Sequence, residues 1–232
     1  MTRFTLILSL VLAPALFARG PKAPASLHPK LPVVEVAVPA GASSDTLVVF
    51  VSGDGGWARI DKEISSVLAA TGMPVAGLNA LQYFWTKKSP ETAARDLQFL
   101  MESYLTNWRK SRVVLVGYSR GADVLPAMVS RLPEELRAKI RLLALLGPSQ
   151  TVEFEFHVTD WVHDTKKGFA VKPEIDKLRG ERILCLYGED DKETLCPALV
   201  NTPAIDVVMM KGAHHFDGGY EKLGRIILEH LR

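Results

Sequence analysis

Residues Val113–Val124 read VVLVGYSRGADV. An apolar run leads into Gly117-Tyr118-Ser119-Arg120-Gly121, and a helical pattern follows. A plain strand-to-helix turn needs a glycine or two, because glycine alone takes up strained backbone angles without steric cost. It does not need a serine between them. In a nucleophile elbow the serine occupies the tight turn, the flanking glycines let neighbouring chain pass, and the hydroxyl projects over a helix N-terminus that favours developing negative charge. Gly-x-Ser-x-Gly is moderately specific by itself. The strand before it and the helix after it are what point to Ser119 as a nucleophile rather than an incidental turn residue.

Working outward, the neighbouring segments repeat the same alternation. VVEVAV from Val33 reads as an edge strand. TLVVFVS (46–52) is a continuous apolar run, as expected of a strand covered on both faces. MPVAGLN, RVVLVGY, RLLALLG, RILCLYG and AIDVVMM read as further strands. Between them lie helical stripes: Ile60, Ile64, Val67 and Leu68; then Leu97, Leu100, Met101 and Leu105, opened by Ser89 as cap and Pro90 in the first turn; and finally GYEKLGRIILEHLR. Strands alternating with helices predict an α/β fold with a mostly parallel central sheet and helices on both faces. TVEFEFHVTDWV (151–162) alternates apolar and polar residues and predicts a half-exposed strand where a minimal lid would be inserted.

A serine hydroxyl needs a base and an acid that orients it. The α/β-hydrolase arrangement supplies them in the chain order serine, acid, histidine, from loops after later strands. RILCLYG is followed by Glu189-Asp190-Asp191, and AIDVVMMKGA by His214-His215. Asp191 is the favoured acid, with Asp190 as alternative. His215 is the favoured base, with His214 as alternative. For the oxyanion, the amide of Arg120 is one expected donor. The amide of Asp54 in SGDGGW, or of Gly55, is the other. Asp123 and Trp57 are candidate substrate-binding residues, although a carboxylate at position 123 also suits the first turn of its helix. The pair Cys185 and Cys196 flanks the acid loop, as a disulfide or as two buried thiols.

The bulk properties narrow the setting. With 232 residues, 47% of them hydrophobic, the chain suits one core-forming domain (33–232). A net charge of +2 without a basic run gives no support for nucleic-acid binding. MTRFTLILSLVLAPALFARG (1–20) has a charged start, a short apolar core and small residues after it, the layout of a secretory signal peptide. The run is short for a membrane span. A proline-rich tether follows (21–32). Export would place the cysteines where disulfides persist. No spacing of histidines and cysteines suggests a metal, and no cofactor motif is present.

VSGDGGW, GYSRGADVLP, LLGPS with EFEFHVTDW, YGEDDKETLCP and GAHHFDGGY together resemble the VirJ/AcvB family of bacterial virulence-associated proteins. The resemblance implies a periplasmic α/β-hydrolase that cleaves the aminoacyl ester of aminoacylated phosphatidylglycerol, notably the lysyl ester, at a membrane surface. It also implies a link to type IV secretion, with secretion-system components as partners. On the family pattern Ser119 carries over as nucleophile, with Asp190 or Asp191 and His214 or His215 as its partners. A lysyl ester is doubly cationic, and Asp54, Asp123 and Asp217 lie near the motif residues. The Arg120 side chain is left to a lipid phosphate or to solvent. Two other functions remain open at this point: a binding or assembly factor for a secretion machine, and a generic periplasmic carboxylesterase.

Overall fold

The structure, a computed structural model, describes residues 31–155 and 168–232. The expected signal peptide and nearly all of the tether therefore lie outside the described residues. Nine strands run in chain order: β1 (Val33–Val36), β2 (Thr46–Val51), β3 (Val75–Leu78), β4 (Arg112–Tyr118), β5 (Ile140–Leu146), β6 (Thr151–Val152), β7 (Phe169–Ala170), β8 (Ile183–Gly188) and β9 (Ile205–Met210). Seven of them form one sheet in the order β1-β3-β2-β4-β5-β8-β9, while β6 and β7 pair separately. Within the main sheet only the edge strand β1 runs antiparallel to its neighbour.

The helices are α1 (Arg59–Ala70), α2 (Ala80–Tyr83), α3 (Pro90–Asn107), α4 (Arg120–Val129), α5 (Glu134–Arg137), α6 (Lys172–Asp176) and α7 (Tyr220–Glu229). They cover both faces of the sheet, which explains the unbroken apolar strands. On β2, Leu47, Val49 and Val51 pack into the core shared with α3 and α4, whereas Val48 and Phe50 pack into the core shared with α1 and α7. Successive side chains of a strand point to opposite faces, so both phases must be apolar. Helix α3 starts as its sequence predicts: the Ser89 side chain accepts the Thr92 amide, and Pro90 sits in the first turn. This is the α/β-hydrolase fold. The half-exposed strand expected over 151–162 is present only as Thr151–Val152, paired with Phe169–Ala170. Residues 153–155 are not strand, and the remainder of that segment lies outside the described residues.

Candidate active site

Ser119 stands between β4 and α4 with φ 53° and ψ −122°, a strained conformation for a residue with a side chain. The surroundings enforce it. A Cβ added at Gly121 would lie 2.0 Å from the Val51 carbonyl oxygen, and one at Gly117 would lie 2.5 Å from the Gly121 carbonyl. The turn closes only with glycine at both places. The Ser119 amide donates to the Leu146 carbonyl at 2.9 Å, and its carbonyl accepts the Asp123 amide at 3.0 Å, which leaves the hydroxyl as its projecting group.

His214 Nε2 lies 2.9 Å from Ser119 Oγ, and His214 Nδ1 lies 2.8 Å from Asp191 Oδ2. The Asp191 side chain is buried to 8% exposure, and the His214 side chain is 34% exposed. The partner expected to be His215 is therefore His214. His215 is exposed, and its Nδ1 is 2.8 Å from the Tyr118 hydroxyl. Burial holds the Tyr118 phenol protonated by raising its pKa above the ordinary tyrosine value. The Tyr118 ring also lies 5.5 Å from the His214 ring, centroid to centroid, so one side chain braces both imidazoles. Asp190 is exposed, and its amide donates to the Gly212 carbonyl at 3.0 Å. Asp191, not Asp190, is the carboxylate that meets a histidine.

The glycine-rich loop passes directly against the serine. A Cβ at Gly53 would lie 3.2 Å from Ser119 Cβ, and a turn closed by the Gly56 amide on the Gly53 carbonyl puts Asp54 and Gly55 at the tip. A cleft of about 470 Å³ is lined by Gly53–Gly56, the first turn of α1, Tyr118, Ser119, His214, His215 and Tyr220. Both expected loop donors, Asp54 and Gly55, are on it.

Four side chains are placed differently from expectation. The Arg120 guanidinium reaches neither solvent nor an open phosphate site. It is 9% exposed, pairs through Nε with Asp54 Oδ1, and donates through Nη1 to the carbonyls of Glu153 (2.6 Å) and Glu155 (3.0 Å). Asp123 does not line the cleft. It is buried, accepts the Ser149 amide at 2.6 Å, and burial pushes its carboxyl up to about 8. Trp57 stacks edge-on with Phe50 at 5.6 Å and fills the space over Gly77, where a Cβ would meet the indole at 2.2 Å. It is a packing residue. Asp217 is exposed and also absent from the cleft lining.

Cys185 and Cys196 form a disulfide, Cα to Cα 5.6 Å, across the loop that carries Asp191. Sequence inspection missed three features of the site. Tyr118, inside the quoted motif, is the hydroxyl that engages His215. Gly147 lies under His214, where an added Cβ would sit 3.0 Å from the imidazole Cε1. Asp61 is wholly buried beside the cleft, accepts the Ala58 amide at 2.7 Å, and is pushed up to about 7 by desolvation. Among the described residues, no group of three or more His, Cys, Asp or Glu side chains is arranged to hold a metal ion. No helix among them is long and apolar enough to cross a membrane.

A family model described as bacterial virulence protein (VirJ) matches residues 45–232. No curated protein matches the sequence closely enough to count as a relative. Among solved structures, Est1E from Butyrivibrio proteoclasticus, with ferulic acid bound, superposes with a TM-score of 0.61 at 13% identity, covering 86% of this chain and 93% of that one. The proline iminopeptidase of Mycobacterium smegmatis gives 0.60 at 12% identity over 86% and 93%. The naproxen esterase (carboxylesterase NP) of Bacillus subtilis gives 0.59 at 14% identity over 86% and 87%. At these identities the likeness is one of fold.

Proposed function

With the chain belonging to the VirJ family of bacterial virulence proteins, we propose that it is an exported serine hydrolase that cleaves the aminoacyl ester of an aminoacylated phosphatidylglycerol, of the lysyl type. The observation that carries the hydrolase reading is the relay Ser119 Oγ–His214 Nε2–His214 Nδ1–Asp191 Oδ2, at 2.9 and 2.8 Å, opening on a cleft. A structural role needs no such alignment of a strained serine, an imidazole and a buried carboxylate. The lipid substrate and the link to a secretion system rest on the family resemblance, and the export reading rests on the signal-like layout of residues 1–20.

The chemistry follows from the geometry. Asp191 accepts a hydrogen bond from the Nδ1–H of His214, which leaves Nε2 as the base toward Ser119. Ser119 Oγ attacks the ester carbonyl carbon while its proton passes to His214 Nε2. The tetrahedral oxyanion takes hydrogen bonds from backbone amides: that of Arg120, at the start of α4, and that of Asp54 or Gly55 in the loop opposite. Collapse breaks the bond to the glycerol oxygen, which leaves with the proton from His214. Water then attacks the aminoacyl-serine, again giving its proton to His214, and the free amino acid departs as Ser119 recovers its hydrogen. Proton transfer of this kind contributes about 10²–10⁴ in rate, and each oxyanion donor about 10²–10³.

The test is direct. Vesicles containing lysyl- or alanyl-phosphatidylglycerol are incubated with the protein, and released amino acid is measured against S119A. Release by the native protein alone supports the proposal. Turnover of simple esters without release of amino acid points to a general carboxylesterase instead. Full restoration of a deletion strain by S119A removes catalysis as the function.

A further inference from the structure

We infer that Asp54 is the specificity-determining residue for the acyl side of the substrate: its carboxylate holds the α-ammonium group of an aminoacyl ester, and the buried Arg120 is the positioning residue that aims it. The inference rests on Ser119 being the nucleophile.

Among the described residues, two acidic side chains line the cleft, Asp54 and Asp61. Asp61 has no solvent-accessible surface. Asp191, close by, is committed to His214. Asp54 differs from both. Its side chain is 43% exposed, at the tip of the loop whose Gly53 leaves little room for a Cβ beside Ser119. One of its oxygens takes the Arg120 Nε hydrogen, and a carboxylate has lone-pair sites for about four donors. The guanidinium cannot swing away, because its Nη1 is tied to the carbonyls of Glu153 and Glu155. The result is a carboxylate fixed from behind and open in front.

Its position matters because of where charge develops. The α-ammonium of an aminoacyl ester is two bonds from the carbonyl carbon that Ser119 attacks. Asp54 lines the cleft that also holds Ser119, within the reach of a group two bonds from the attacked carbon. A carboxylate there opposes a developing oxyanion when the acyl group is neutral. An ammonium on the acyl group adds a positive charge that offsets this opposition. Asp54 thus selects for amino-bearing acyl groups in the transition state as well as in binding. Arg59, a cation on the cleft lining, does not compete for Asp54. It is paired with Glu63 at 2.5 Å and lies over the Tyr220 ring.

The experiment uses two soluble esters, the 2-naphthyl esters of alanine and of propionic acid, which differ by the amine. The kcat/KM ratio of alanyl to propionyl ester is divided by the same ratio for hydroxide-catalysed hydrolysis, so that the intrinsic activation by the ammonium cancels. The native protein gives a normalised ratio above one. D54N lowers that ratio about tenfold, the scale of one hydrogen bond between charged groups, with the propionyl ester gaining in relative rate. D54E, which keeps the charge, recovers part of the preference. A general structural defect slows both esters together and leaves the ratio where it was, and that result overturns the inference. If D54N does not fold, the native protein decides: a normalised ratio at or below one overturns it. Release of amino acid from vesicles with an unaltered D54N ratio keeps the proposed function and removes only this assignment. Failure of the native protein to hydrolyse either ester removes the hydrolase reading beneath it.

Discussion

Replacing each of the adjacent histidines in turn separates the base from its neighbour. Among the described residues, the Ser119 hydroxyl has one imidazole within hydrogen-bond reach, that of His214 at 2.9 Å. The His215 ring centroid is 5.8 Å from that of His214, and its Nδ1 is occupied by the Tyr118 hydroxyl. In H214A nothing replaces the lost base. The expected loss in kcat/KM is about 10²–10⁴, or roughly 3–5 kcal/mol of transition-state stabilisation. In H215A the loss is one hydrogen bond from an exposed ring, about 1 kcal/mol, and that energy belongs to the stability of the turn rather than to proton transfer. The rate is expected to fall by less than about tenfold, through a loosened Tyr118 that no longer braces His214. The assay is the rate of covalent labelling by a fluorophosphonate, which reads Ser119 nucleophilicity without assuming a substrate, together with turnover of a simple ester. Equal losses in the two variants, or a larger loss in H215A, would refute the assignment of His214 as base.

Removing the disulfide in C185A/C196A is expected to cost up to about 3 kcal/mol of unfolded-chain entropy, lowering Tm by about 5–10 °C in thermal melts. It should also lower kcat by freeing the loop that carries Asp191; an unchanged Tm contradicts this. Asp61 is raised to about 7 in the fold from an ordinary carboxylate value, so the stability gained by keeping it protonated is present at low pH and is lost as pH rises through about 7. D61N, isosteric with the neutral acid, should match the native protein near pH 3, below the ordinary carboxylate pKa of about 3.9, and exceed it increasingly in Tm up to about pH 7; parallel Tm–pH curves for the two proteins would show otherwise. G147A puts a Cβ 3.0 Å from His214 Cε1 at a backbone φ of 62°, which costs an L-residue roughly 1–2 kcal/mol. Its kcat should drop while the circular dichroism of the fold persists, and native-like turnover would mean that the ring does not depend on this gap.

The strands were legible because a sheet covered on both faces demands apolar residues in both phases, and six-residue runs such as 46–51 have no other common use. The elbow was legible because its glycines are forced by backbone contacts a few residues away. The choice between the histidines was not. They follow Gly212, at φ 92°, and precede Phe216 and Asp217, both with positive φ, so no helical or strand period sets which ring faces the serine. A pattern of residue types carries no direction there. Arg120 and Asp123 misled for a related reason. A charged residue beside a cleft is expected to be exposed, since burying it alone is costly. Here the costs are met by groups distant in sequence: Asp54 and two carbonyls for Arg120, the Ser149 amide for Asp123. Trp57 is held by the bare backbone of Gly77, a partner that sequence spacing does not reveal. The four-residue α2 is too short to carry a period.

Strand register explains why three residues so far apart along the chain meet, and why one more is needed. Tyr118 is level with Leu146, Leu146 with Leu186, and Gly188 with Met210, so β4, β5, β8 and β9 run out together and release their loops at one rim. Parallel strands guarantee that shared rim, but not contact. Neighbouring strands are about 4.8 Å apart, and three intervals separate β4 from β9, so the end of β9 starts about 14 Å from Ser119. The loop after β9 has to travel back across β8 and β5 to deliver an imidazole. It first crosses β8 at Gly188, where a Cβ would lie 2.3 Å from the carbonyls of Gly212 and Ala213, and then β5 at Gly147, over which the His214 ring lies. The absent side chains at the ends of the two intervening strands form the trough along which the histidine reaches the serine. The sheet sets the order serine, acid, base, and the two glycines set the distance.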